Sequence, residues 1–185
     1  MFVWNIGFYN DILEDGIPLS QAVNDAYEAG YTEPDPREDL AGNDVARKAL
    51  ILSRALKRKI NFEDIELEPL FFCQSSPKNP KDFIRSLQDY DKEYALKVGE
   101  AFKDGCVLRY VARLYDDKVR VGIESLPKNS SLGSLRGTDN QLTIRTNRYD
   151  LNPLIVAGPG AGPAVTAAGV LNDIVAIAMA EKMLK

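Results

Sequence analysis

The chain has 185 residues, with 23 Lys plus Arg against 27 Asp plus Glu, two Cys and no His. Without an imidazole there is no Ser-His-Asp or Cys-His nucleophile pair, no His-ligated zinc and no His general base, so acid–base work falls to Lys, Asp, Glu or Tyr. A hydrophobic content of 45% and a charged content of 27% are those of an ordinary folded domain, and a net charge of −4 without a basic stripe argues against a nucleic-acid partner.

In chain order, Phe2 to Tyr9 is aromatic-rich and reads as a strand or the stub of a helix. Leu19, Ala22, Val23 and Ala26 have helical spacing, which predicts a helix from Pro18 to Ala29 closed by a left-handed Gly30. Residues 31–39 carry Pro34 and Pro36 one residue apart and read as a stiff, extended acidic loop. A second helix is expected from Asn43 to about Arg58, with Val45, Ala46, Ala49, Leu50, Leu52, Ser53 and Leu56 buried and a basic last turn.

A strand is expected over Ile65–Phe72, and one or two amphipathic helices over residues 81–103. Beyond Gly105 the pattern shifts to period two. Cys106–Leu114 and Val119–Leu126 then form a hairpin, and Gln141–Arg145 a strand with Leu142 and Ile144 inward. Leu154–Val156 is a short strand leading through a loop of alternating glycines to an Ala-rich helix from about Ala164 to Leu184. Helices before and after a block of largely antiparallel strands predict an α+β fold, a mixed or antiparallel sheet with helices on one face.

The N-terminus has neither the basic start nor the small-residue cleavage site of a signal peptide, and no apolar run is long enough to span a membrane. Cys73 and Cys106 lie in or beside apolar runs and read as reduced, buried thiols of a cytoplasmic protein.

Three features carry possible chemistry. Glu33, Asp35, Glu38, Asp39 and Asp44 are five carboxylates within twelve residues, suited either to a cation such as a substrate ammonium or to a solvated helix N-terminus. Their spacing is not that of an EF-hand. Asp44 and Lys48 share a helix face, as an exposed ion pair or, if turned toward a cleft with Glu33, as a proton donor tuned by acids. Gly158-Pro159-Gly160-Ala161-Gly162-Pro163 is either an anion-meeting turn or a tight packing turn, and lacks the dinucleotide fingerprint spacing. Tyr90, Tyr94 and Tyr110 read as core or edge residues.

The run from Gly30 to Lys48, GYTEPDPREDLAGNDVARK, resembles the signature of homoserine dehydrogenase. Supporting stretches follow in order: Val107–Val111, Leu135–Asn140, Arg148-Tyr149, and Gly158–Gly162 leading to Val165–Val170. The resemblance implies an NAD- or NADP-dependent oxidoreductase interconverting L-aspartate 4-semialdehyde and L-homoserine, on the route to threonine, methionine and isoleucine. It further implies that Glu33, Asp39 and Asp44 hold the substrate, Lys48 donates the proton, and Gly160 and Gly162 approach the cofactor. On this reading residues 1–185 form one substrate-binding and homodimerisation domain with an atypical lead-in at 1–15. The family's Rossmann domain would act from outside this stretch, in trans if separate, and residues 158–185 would pack on it. The alternative is a non-catalytic amino-acid-binding or regulatory protein that retains the substrate-domain fold.

Overall fold

The computed structural model describes residues 2–5, 16–71, 77, 79–136, 139–159 and 163–183. Its centre is a six-stranded sheet of β1 (Phe2–Asn5), β2 (Ile65–Leu67), β3 (Cys106–Leu114), β4 (Val119–Pro127), β5 (Asp139–Ile144) and β6 (Leu154–Pro159), in the order β2-β4-β3-β1-β5-β6. Every neighbouring pair is antiparallel except β2 with β4. The helices are α1 (Leu19–Glu28), α2 (Pro36–Leu40), α3 (Asn43–Ala55), α4 (Pro80–Ser86), α5 (Asp91–Lys103) and α6 (Pro163–Met183), with a 3-10 turn at Leu87–Tyr90 between α4 and α5. The expected α+β class is the observed one.

The core lies between one sheet face and α1 to α5. Leu108, Tyr110, Ala112 and Leu114 of β3, with Val119 and Val121 of β4, pack against Leu19 and Val23 of α1, Val45, Ala46 and Ala49 of α3, and Phe83 and Ile84 of α4. Alternate residues along a strand point to opposite faces, so every second position of β3 enters this layer. The intervening positions serve a smaller cluster on the other face, where Val111 meets Leu132 and Leu135. There the Arg109 side chain, fully buried, donates to the carbonyls of Leu108, Leu132, Gly133 and Leu135, which folds the chain after β4 back over the sheet.

α1 ends as its sequence predicts. Gly30 has φ +71°, Gly30 N–H donates to Tyr27 and Tyr31 N–H to Ala26, a Schellman closure. At its other end Ser20 donates through its backbone N–H and hydroxyl to the Asp91 carboxylate at 2.8 and 2.7 Å, tying α1 to the start of α5.

Several expectations are corrected. The acidic loop contains a short helix, α2, because Asp35 accepts from Arg37 N–H as its cap and Pro36 supplies a pre-set first residue. The strand expected to Phe72 stops at Leu67, since among the described residues its partner is β4 and the chain then leaves the ladder to join α2, Phe71 N–H donating to the Leu40 carbonyl; Phe72 lies outside the described residues. The second helix stops at Ala55, leaving Leu56 39% exposed.

In β5 the alternation is right but the most buried members are Gln141 and Thr143, because Gln141 donates to Ser131 in the covering loop and to Thr143. Cys106 is a free thiol but only half-buried, and Cys73 lies outside the described residues, as do Ile6 to Tyr9. Tyr94 and Tyr110 are buried and Tyr90 half-buried, as expected. No described helix is long and apolar enough to cross a membrane.

Candidate substrate site

The acidic segment sits at the corner where α2 turns into α3. Asp35 is removed from the cluster by its own neighbour: the Arg37 guanidinium pairs with it at 2.6 Å and holds its carboxyl below the ordinary range, although some burial opposes this. Arg37 also donates to the Pro77 carbonyl at 2.8 Å and lies 5.6 Å from the Phe83 ring centroid, so the pair anchors α2 to α4. Glu38 is exposed.

Glu33, Asp39 and Asp44 are brought together. Asp39 Oδ2 accepts the Glu33 backbone N–H at 2.9 Å, which closes the segment ahead of α2 into a loop. Burial pushes the Asp39 carboxyl up to about 6, and the negative charges of Glu33 and Asp44 push in the same direction against the lowering effect of the Glu33 N–H. A carboxyl raised chiefly by burial, with two neighbouring acids adding to the shift, is stabilised in its charged form by an incoming cation.

Asp44 stands in the first turn of α3, where the helix dipole favours an acid. Its Oδ2 lies 2.6 Å from Lys48 Nζ, one turn on, with the two side chains 58% and 37% exposed. At that exposure the pair adds only ~0.3–0.5 kcal/mol to stability. Its position is the chemical point: the Lys48 ammonium stands beside the acids of the corner with its side chain 37% exposed, reachable by a ligand.

Gly160 and Gly162, the expected cofactor contacts, lie outside the described residues. The flanking pieces are strand β6, ending at Pro159, and helix α6, beginning at Pro163. Among the described residues, no atom lies within 4 Å of where a Cβ on Gly158 would stand. Tyr110, expected as a core or edge residue, packs on Gly42, where a Cβ would overlap its hydroxyl; the contact is long-range and has no signal in local spacing.

α6 and β6 are unlike the rest. Residues 164–180 of α6 are exposed throughout, among them Val170, Leu171, Ile174, Val175, Ile177 and Met179, and β6 exposes Leu154, Ile155 and Val156. A helix apolar on all sides is ordinarily enclosed by other protein.

Comparison with known proteins shows the family of the chain. The family model for homoserine dehydrogenase matches residues 8–175. The Saccharomyces cerevisiae homoserine dehydrogenase is 41% identical over 171 residues, covering 88% of this chain and 46% of that protein. The bifunctional aspartokinase/homoserine dehydrogenase of Haemophilus influenzae is 40% identical over 173 residues, 92% of this chain and 21% of that one. A crystal structure of a Candida auris protein of unknown function superposes with a TM-score of 0.83 at 34% identity, covering 96% of this chain and 53% of that one. The chain therefore spans about half the length of the yeast relative, and less of the bifunctional one. On the family match across nearly its whole length, the chain belongs to the homoserine dehydrogenase family.

Proposed function

We propose that this chain is the substrate-binding part of an enzyme interconverting L-aspartate 4-semialdehyde and L-homoserine, in the biosynthesis of threonine, methionine and isoleucine. The carrying observation is the corner at α2 and α3, where Glu33, Asp39 and Asp44 are electrostatically joined and Lys48 stands on Asp44. The substrate is an amino acid with an ammonium group at one end and an aldehyde at the other. Three acids and one lysine offer partners for both ends.

In this reading Glu33, Asp39 and Asp44 hold the ammonium, which relieves the negative charge that burial disfavours on Asp39 above about pH 6. When bound, NAD or NADP supplies the hydride. Lys48 then donates a proton from Nζ to the oxygen that gains negative charge, and in the opposite direction takes it from the hydroxyl. Asp44 holds the ammonium of Lys48 in place between turnovers. Gly160 and Gly162 would let the backbone approach the nicotinamide.

Residues 1–185 act as one domain, and the Rossmann domain that the family resemblance implies outside this stretch would supply most of the dinucleotide site. α6 would be enclosed by that domain, and the sheet would join a second copy in a homodimer. The test is L-homoserine binding by calorimetry to this chain. It is followed by NADPH oxidation with aspartate semialdehyde after a Rossmann domain is added in trans. Activity that appears on addition and is lost in Lys48→Ala supports the proposal. Homoserine binding without activity makes the chain a binding protein, and failure to bind refutes the site.

A further inference from the structure

We propose that Tyr110 is a positioning residue for the substrate corner: its hydroxyl, held by the Glu68 carbonyl, is the stop on which Gly42 seats the start of α3, setting Asp44 and Lys48 relative to Asp39. The inference rests on the corner being the substrate site.

Three segments distant in sequence meet at this point. Gly42 separates α2 from α3 with φ +74°, a conformation that side chains disfavour. It is also pressed against its neighbours. A Cβ there would overlap the Tyr110 hydroxyl oxygen and stand 2.9 Å from Tyr110 Cζ and 3.3 Å from Leu67 Cδ1. Gly42 N–H donates to the Asp39 carbonyl at 3.1 Å, and its own carbonyl accepts Ala46 N–H at 3.0 Å. Gly42, packed against the Tyr110 ring, is thus bonded backward to Asp39 and forward into α3.

The stop is itself fixed. Tyr110 is fully buried in the middle of β3, opposite Ile123, so its ring cannot swing away. Its hydroxyl donates to the Glu68 carbonyl at 2.8 Å, and Glu68 N–H donates to the Val121 carbonyl at 2.8 Å, tying that residue to β4. Two residues further on, the Tyr94 hydroxyl donates to the Leu70 carbonyl, and Phe71 N–H bonds the end of α2. Burial holds the Tyr110 hydroxyl protonated well beyond neutral pH, so the donor persists over any working range. A phenylalanine would fill the same space and leave the Glu68 carbonyl without this donor, freeing the corner to shift.

Calorimetry with L-homoserine on the full chain tests this, using Tyr110→Phe, Gly42→Ala, the double variant, and Val111→Ala as a destabilised control on the opposite sheet face. Tyr110→Phe is expected to weaken binding about three- to ten-fold, the range of one lost hydrogen bond. Val111→Ala should lower the unfolding midpoint and leave affinity alone. Gly42→Ala should lose more, and the double variant should recover part of that loss because the obstructing oxygen is gone.

The second readout needs no ligand: the Asp39 carboxyl, followed by carbon NMR against pH, should titrate nearer its ordinary value in Tyr110→Phe. Unchanged affinity and an unchanged Asp39 titration, with only a lower midpoint, would reduce Tyr110 to a core residue. If the unaltered chain does not bind homoserine, the substrate assignment has failed, and the Asp39 titration alone decides for or against the positioning role.

Discussion

Asp39→Asn should make the fold more stable and the site worse. The wild-type carboxyl is pushed from 3.8 up to about 6 by burial and by Glu33 and Asp44. The folded state therefore binds this proton more tightly than the unfolded chain. The group's contribution is full below about pH 4, is lost as pH rises through the interval to about 6, and above that leaves the entire cost of a disfavoured charge.

The whole interval corresponds to a ceiling of about 3 kcal/mol at neutral pH. Asp39 is only half-buried, and solvent screening leaves about 1–2 kcal/mol. Asparagine carries no charge, and its Oδ1 can still accept the Glu33 N–H that Oδ2 accepts now. Urea unfolding at about pH 7.5 should show the variant more stable by about 1–2 kcal/mol, the advantage shrinking to about zero near pH 4. Homoserine affinity should fall in the same variant, because an ammonium loses one of its carboxylates. A variant that is less stable at neutral pH, or whose advantage does not depend on pH, would refute the electrostatic account of this corner.

Arg109→Met should cost about 3 kcal/mol or more in urea unfolding, since it leaves the carbonyls of Leu132, Gly133 and Leu135 without the guanidinium that serves them. A loss under about 1 kcal/mol would mean that water reaches those oxygens. Phe83→Ala removes a ring 2% exposed, packed on Phe71 at 6.2 Å and beneath Arg37, and should cost about 3–5 kcal/mol; a loss within about 0.5 kcal/mol, typical of a surface site, contradicts the packing described. Ile174→Glu on α6, at a position 57% exposed, should leave the unfolding midpoint of this chain within about 0.5 kcal/mol of wild type while weakening association with an added cofactor domain. A large drop in the midpoint would show that α6 already packs within the chain.

Local pattern was enough for the helices that bury one stripe. α1 buries Leu19, Ala22, Val23 and Ala26, the four residues its spacing picks out, and it ends on the left-handed Gly30. The hairpin of β3 and β4 begins and ends within a residue of its expected bounds, because period-two alternation and a polar turn at Asp116-Asp117 are local signals. Helix α2 was also legible in principle, from Asp35 ahead of Pro36, but two prolines in a short stretch outweighed the cap.

The sequence by itself determined the residue types available to the candidate site, lysine and carboxylates with no His, and the family to which the chain belongs. Helical spacing already placed Asp44 and Lys48 on one face. Only the tertiary structure decided that Asp35 is spent on Arg37, that Asp39 is buried enough to hold its proton up to about 6, and that Gln141 and Thr143 turn inward in β5. It also decided that Tyr110, far along the chain, presses on Gly42. The physical reason is common to all four. Burial, and the contacts that create it, depend on which distant segment covers a residue, whereas helical and strand periodicity record only which residues share a face.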